Sequence, residues 1–240
     1  LSGQEGLILE MTDARGVRLL DEGESRVEPV DGKDLYISLD ANIQLYAQQL
    51  AEQVCLEKEA ESTELPCRIY LFQGLPKNDK MEWIIQKTVE LGVYEVIPVA
   101  MKNCVVKLDD KKAKSKVMRW QAIAESAAKQ SKRSLIPEVK MPMSYKEAVA
   151  YAKELDVKLV PYENEHGMAG TKAAMEQIEK GESIAVFIGP EGGFAPEEIA
   201  LVQDEMQLIS LGKRILRTET AGIAALAILG YQLESSDMIE

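Results

Sequence analysis

A chain of 240 residues with 46% hydrophobic and 28% charged residues has the composition of an ordinary soluble globular protein, and it is long enough for one large domain or for a small domain plus a medium one. No segment approaches the roughly 18 uninterrupted apolar residues of a bilayer span, and LSGQEGLILE has neither the basic region nor the apolar stretch of an export signal, so no membrane partner is expected. The net charge of -12 argues against a uniformly basic nucleic-acid binder, but its distribution is uneven: residues 1–60 carry 13 acids against 5 bases, whereas Lys102 to Arg133 carries 10 bases against Asp109, Asp110 and Glu125.

The three cysteines, Cys55, Cys67 and Cys104, form no CxxC pair, which argues against a disulfide framework or a zinc site and fits a reducing, cytoplasmic setting. The single histidine, His166, excludes a multi-histidine metal centre and reads as a loop residue in ENEHG, so no metal is expected.

In chain order, GLILEMTDARGVRLL and DGKDLYISLD read as short strands joined by Gly and Asp turns. Ala41 to Glu59 reads as a helix, from Ile43, Tyr46, Ala47, Leu50 and Val54 at spacings of three and four. After Pro66 strands and helices alternate, the mark of an α/β layer fold. The strands are Arg68 to Gln73, Val93 to Val99, Val157 to Pro161, Ser183 to Ile188 and Gln207 to Leu211. Between and after them come helices over Lys80 to Leu91, with Gly92 closing it, and over Ser115 to Ser131, Ser144 to Leu155, Lys172 to Lys180, Pro196 to Glu205 and Thr220 to Leu233. Ser144 with Glu147 three residues on has the pattern of a capping box. The change of texture near residue 55 suggests an amino-terminal region, 1–54, followed by a domain over 55–240.

Two loops carry the chemistry. Ser183 to Ile188 runs into Gly189-Pro190-Glu191-Gly192-Gly193, three glycines at the carboxyl end of a buried strand, where α/β sheets bind ligands and where backbone can approach a ligand closely. The spacing is neither GxGxxG nor a P-loop, and Glu191 would repel phosphate, so a neutral or cationic ligand is indicated. The second loop, Leu211 to Thr220, leads into the last helix and puts Arg217, Thr218 and Glu219 at its entrance. By itself this pattern reads first as structural, an N-cap on Thr218 or Thr220 with an Arg217–Glu219 ion pair.

The strings FQGLPKNDKMEWIIQKTVELGV, QSKRSLIPEV, FIGPEGGFAPEEI and LGKRILRTETAGIAAL, in this order between about residues 55 and 233, resemble the RsmE family of 16S ribosomal RNA uridine N3-methyltransferases. The resemblance implies a SPOUT fold with a carboxyl-terminal trefoil knot, and a homodimer whose interface helps complete the active site. It also implies S-adenosylmethionine as cofactor and the RNA of the 30S subunit as partner. Carried over by position, it places the cofactor against Leu159, Pro161, Tyr162 and Glu163; against Ile188, Gly189, Pro190, Glu191, Gly192 and Gly193; and against Leu211, Gly212, Ile215, Leu216, Arg217 and Thr218. Arg217 is expected to orient the uracil and Glu219 to handle its proton. Lys102, Lys107, Lys132 and Arg133 are expected to contact RNA.

Two stretches depart from the family pattern. The amino-terminal PUA-like RNA-binding block is missing, and residues 3–53 instead resemble the segment leading into the transpeptidase domain of class B penicillin-binding proteins, as in a chimera. Ser126-Ala-Ala-Lys129 fits S-x-x-K by letter, but no SDN or KTG partner accompanies it, and a chance match within a helix is the expectation. In AMKNCVVK, Asn103 stands where relatives typically carry an arginine. Two other readings therefore remain open: a cofactor-binding dimer with impaired or no RNA methylation, and a cell-wall-related binding module.

Overall fold

The computed structural model describes residues 7–9, 25–27, 63–165 and 167–237, and the chain divides into two compact units, Leu1–Glu61 and Ser62–Glu240. In the first unit β1 (Leu7–Leu9) pairs antiparallel with β2 (Ser25–Val27). The helix expected over 41–59, Cys55 and His166 lie outside the described residues.

The second unit is built on a seven-stranded sheet, parallel at every described pairing. Its strands are β3 (Arg68–Gly74), β4 (Glu95–Ala100), β5 (Glu138–Val139), β6 (Met143–Ser144), β7 (Val157–Pro161), β8 (Ser183–Ile188) and β9 (Gln207–Ile209), in the order β5-β4-β3-β8-β7-β9, with β6 also on β4. The helices are α1 (Lys80–Glu90), α2 (Asp110–Gln130), α3 (Tyr145–Ala152), α4 (Ala169–Glu176), α5 (Pro196–Val202) and α6 (Thr218–Asp237).

The central strands β3 and β8 are near-continuous apolar runs because both faces are covered. The two-residue pleat sends Ile69 and Leu71 with Ile184, Val186 and Ile188 to one face, under α1, α2, α4 and α6. It sends Tyr70 and Phe72 with Ala185 and Phe187 to the other, under α3 and α5, where the Phe72 and Phe187 rings stack at 4.3 Å. The expected capping box forms at Ser144 and Glu147. Gly92 follows the C-cap Leu91 with φ +91°, and a Cβ there would stand 2.7 Å from Leu65.

The elements expected from sequence between residues 68 and 233 are present, several with shifted ends, whereas the DGKDLYISLD strand lies outside the described residues. α2 begins at Asp110 rather than Ser115, with the Asp109 carboxylate accepting from Lys112 N at 2.8 Å. α4 lies at 169–176 rather than 172–180, and α6 begins at Thr218 rather than Thr220. Ser126 and Lys129, the letter match to S-x-x-K, are two exposed positions on α2. Among the described residues no helix is long and apolar enough to cross a membrane.

Candidate active site

Because β7, β8 and β9 run parallel, their carboxyl ends open on one edge of the sheet, where α/β folds bind ligands. β9 is the edge strand, and residues 210–217 carry the chain back across β7 and β8 so that α6 begins beside β3. A buried relay fixes this return. Gln73, fully buried at the end of β3, donates from Nε2 to Thr218 Oγ1 at 2.9 Å, and Thr218 Oγ1 donates to the Gly189 carbonyl at 2.7 Å. The Gln73 amide thereby ties together the two glycine-bearing loops, which lie 29 positions apart. Thr218 is not an N-cap: the Arg217 carbonyl accepts the first helical N–H groups, from Thr220 and Ala221, and the Thr218 hydroxyl serves the relay.

One glycine is required by close approach and a second is tightly placed. A Cβ on Gly74 would stand 2.7 Å from Pro190 N, backbone that cannot give way. A Cβ on Gly222, in the first turns of α6, would stand 3.3 Å from Gln73 Oε1, a buried oxygen with no hydrogen-bond partner.

Between the loops lies a cavity of about 700 Å³. Of the residues expected to hold the cofactor, Pro161, Tyr162 and Glu163 line it after β7, and Ile188, Gly189, Pro190, Glu191 and Gly193 after β8. Leu211, Gly212, Ile215, Leu216, Arg217 and Thr218 line it after β9.

Two expected residues do not reach it. Leu159 is fully buried in the core under α1, α2 and α6, because it lies two residues short of the end of β7, below the level at which the cavity opens. Gly192 faces the turn after β4 instead: Asn103 Nδ2 donates to the Gly192 and Gly193 carbonyls at 3.0 and 3.1 Å, and a Cβ on Gly192 would stand 2.9 Å from Asn103 Cβ. Asn103 is thus a clamp on the glycine loop. The same turn is anchored by Glu198, whose carboxylate accepts from Lys102 N and Ala195 N, both at 2.8 Å.

The charges differ from expectation as well. Glu219 pairs with Lys80 at 3.1 Å rather than with Arg217, and Lys80 also reaches Glu191 at 3.1 Å. Lys80 lines the cavity, as do Ser210, Lys213 and Arg214, none of them foreseen. Burial pulls the Glu191 pKa upward, but N–H donation from Lys77 and the Lys80 ammonium outweigh it and hold the carboxyl below its ordinary value. Arg217 is exposed and has no ion pair among the described residues.

Of the residues expected to meet RNA, Lys107 and Lys132 are exposed, and Lys102 is exposed but paired with Glu197. Arg133 is withdrawn from the surface. Its side chain is 3% exposed, paired with Glu64 and donating from Nη1 to the Val89 and Val93 carbonyls at 3.0 and 2.7 Å. Among the described residues no group of three or more histidine, cysteine and carboxylate side chains is placed to hold a metal.

A family profile described as an RNA methyltransferase domain matches residues 63–230. Ribosomal RNA small subunit methyltransferase E of Bacillus subtilis is 42% identical over 183 residues, 75% of this chain and 72% of that protein. The protein of the same name from Mesomycoplasma hyopneumoniae is 37% identical over 70% of this chain and 71% of its own length. Among solved structures, a ribosomal RNA small subunit methyltransferase E of Neisseria gonorrhoeae bound to S-adenosyl methionine superposes with TM-score 0.63 at 34% identity, covering 72% of this chain and 69% of that one. A Legionella pneumophila structure in complex with SAM superposes with TM-score 0.65 at 35% identity, covering 71% and 68%. The parallel α/β sheet covered on both faces is the SPOUT methyltransferase fold, and the chain belongs to the ribosomal RNA small subunit methyltransferase E family.

Proposed function

We propose that this chain transfers a methyl group from S-adenosylmethionine to N3 of a uridine in 16S ribosomal RNA of the small subunit, acting in the cytoplasm as a homodimer. The observation that carries this reading is the cavity formed by three strand-end loops, with the unpaired Arg217 on its wall.

The cavity residues fit the cofactor. Ile188, Leu211 and Leu216 offer apolar wall to a nucleoside, and the main chain of the two glycine-bearing loops offers donors and acceptors. Gly212, at φ +113° with nothing within 4 Å of where a Cβ would stand, leaves its backbone open to the cavity. The carboxylates of Glu163 and Glu191 suit a cation better than a phosphate. When bound, the cofactor supplies an electrophilic methyl on a sulfonium.

The protein's part is alignment and charge stabilisation. In-line transfer requires the acceptor nitrogen to be held facing the methyl, and fixing both substrates in one cavity replaces an improbable encounter. Loss of the N3 proton leaves negative charge spread towards the flanking carbonyl oxygens, and the Arg217 guanidinium, on the cavity wall beside α6 and without an ion pair among the described residues, is placed to meet it. Glu219 does not line the cavity and stands behind Lys80; its carboxylate takes up the N3 proton only by exchanging that ion pair and turning to the cavity, and otherwise holds Lys80 in place.

The return of the chain from β9 over β7 and β8 gives the setting for the trefoil knot included in this proposal. Residues 1–54 are inferred to stand in place of the family's RNA-binding domain. Titration calorimetry with S-adenosylmethionine tests the first step: one site per chain is expected, and no heat of binding to a folded sample would refute it.

A further inference from the structure

The cations of the second unit fall into two sets. Of the ten bases from Lys102 to Arg133, six are already engaged by carboxylates, Lys102 by Glu197, Lys112 by Asp109, Lys116 by Asp79, Arg119 by Glu82, Lys129 by Glu125 and Arg133 by Glu64, while Lys107, Lys111, Lys114 and Lys132 are exposed, have no ion pair among the described residues and do not line the cavity. Lys213, Arg214 and Arg217 crowd into five positions of the loop before α6, are all exposed, line the cavity, and have no ion pair among the described residues. Of the carboxylates on the cavity, Glu191 is held by Lys80, which leaves Glu163, beside Gly193 on the β7 side, and Glu165. Ile215, between the cations, is 82% exposed and offers an apolar surface at the same place.

We propose that Lys213 and Arg214 form a phosphate clamp at the mouth of the cavity. They hold the backbone of single-stranded RNA on either side of the base that enters, and this strip, rather than the α2 surface, supplies the principal phosphate contacts of the unit. The proposal rests on the methyltransferase reading above.

Two physical effects favour this strip. An enzyme that modifies a ring atom must take the base out of its stack, and the phosphates of that nucleotide then lie at the pocket mouth. A cation already matched by a carboxylate must give up that partner to bind phosphate, and the abandoned carboxylate repels the incoming backbone. The unmatched cations of 213–217 face neither cost and, unlike the unmatched Lys107, Lys111, Lys114 and Lys132, stand on the cavity itself.

The same anion-binding chemistry would suit the methionine carboxylate of the cofactor, so the experiment separates the two sources. Full-length wild type, Lys213→Ala/Arg214→Ala and Lys112→Ala/Lys129→Ala are titrated with a 20-residue oligouridine over a range of salt, and with S-adenosylmethionine by calorimetry. Single-strand binding weakens with salt by about 0.7 in log–log slope per phosphate contact, so loss of two contacts flattens the slope by about 1.4. That flattening is expected for the 213/214 variant, with cofactor affinity unchanged within about twofold and thermal unfolding unaltered; the 112/129 variant should keep the wild-type slope.

Three results would overturn the proposal. One is an unchanged slope in the 213/214 variant or an equal change in the 112/129 variant. Another is a tenfold loss of cofactor affinity in the 213/214 variant with RNA binding intact, which would assign the cations to the cofactor. The third is no oligouridine binding by wild type at low salt. Failure of the methyltransferase reading is separately visible, as absence of cofactor binding by the wild-type chain.

Discussion

Replacing Thr218 by Val exchanges a hydroxyl for a methyl of nearly equal size at the point where the two cavity loops are tied together. Two hydrogen bonds are lost, the one from Gln73 Nε2 at 2.9 Å and the one to the Gly189 carbonyl at 2.7 Å. Gln73 Nε2 keeps its bond to the Gly74 carbonyl at 3.1 Å, and Gln73 Oε1 already lacks a partner, so the buried network has no spare group to compensate. A net hydrogen bond is worth about 1 kcal/mol, and a buried polar group left unsatisfied costs about 1–3 kcal/mol. The Gly189 carbonyl, on the cavity wall, can be rehydrated; the Gln73 side cannot, which puts the total at ~2 kcal/mol. With a urea m-value of about 2–3 kcal/mol/M the midpoint falls by about 0.7–1 M. Both tryptophans of the chain, Trp83 and Trp120, lie in the second unit and report its unfolding by fluorescence. The freed Gly189 loop should lower cofactor affinity about tenfold, equivalent to ~1.4 kcal/mol. Thr218→Ser keeps the hydroxyl and should retain most of both. A Thr218→Val protein within about 0.5 kcal/mol of wild type and with full cofactor affinity would refute the relay as the link between the loops.

Arg217→Ala is expected to lower kcat for RNA methylation by about 10²–10³-fold, the scale for removing a donor aimed at developing charge, while leaving cofactor affinity within about twofold; a loss confined to cofactor binding would contradict its place at the uracil. Arg133→Ala breaks a pair whose guanidinium is buried and should cost ~3 kcal/mol in urea unfolding, with no change in the salt dependence of RNA binding. Gly74→Ala drives a Cβ into the Pro190 backbone and should cost about 1–3 kcal/mol and weaken cofactor binding, which calorimetry would read directly. Acid unfolding tests the carboxylates. In Glu64, as in Glu191, burial pulls the pKa upward but is outweighed, here by Arg133 and by donors at Ser134 and Leu135, so both groups titrate below the unfolded value of 4.5. Their stabilisation is therefore complete above about pH 4.5 and is lost as pH falls through the folded values. Wild type should be level from pH 7 to 5 and fall below 4.5, less steeply in Glu191→Gln; parallel curves for the two proteins would contradict the assignment.

What the sequence reveals here follows from how local each feature is. Ser183 to Ile188 and Val157 to Pro161 are legible to the residue because each is a short stretch rich in Val, Ile and Leu bounded by turn-forming residues, a pattern too short for a helix. The start of α2 is missed by five residues because Asp110 to Lys114 is charged and exposed but for Ala113, so the helix there shows no apolar face and is announced only by the Asp109 cap. The two-residue strands β5 and β6 are too short for any periodicity.

The site divides the same way. The glycine loops are visible as strings, but the roles of Gln73, Lys80 and Arg133 depend on partners far along the chain: Thr218 lies 145 residues from Gln73, Glu219 139 from Lys80, and Glu64 69 from Arg133. Arg133 in QSKRSLIP has the local appearance of a surface cation, and nothing nearby in sequence marks the carbonyls of Val89 and Val93 that receive it. The family resemblance carries Leu159 to the cofactor as part of a whole strand end; Leu159 and Pro161 share a face of β7, but Leu159 lies two residues deeper, in the core, and only Pro161, at the strand's end, reaches the cavity.

The central claim is methyl transfer from S-adenosylmethionine to N3 of a uridine in small-subunit RNA. Its most direct test is incubation of the full chain with isotopically labelled S-adenosylmethionine and 30S subunits or 16S RNA lacking the modification, followed by nucleoside mass spectrometry. Labelled N3-methyluridine, lost in Arg217→Ala, is the expected product; a folded, cofactor-binding chain that leaves the RNA unlabelled, or that places the label on another atom or base, would contradict the claim.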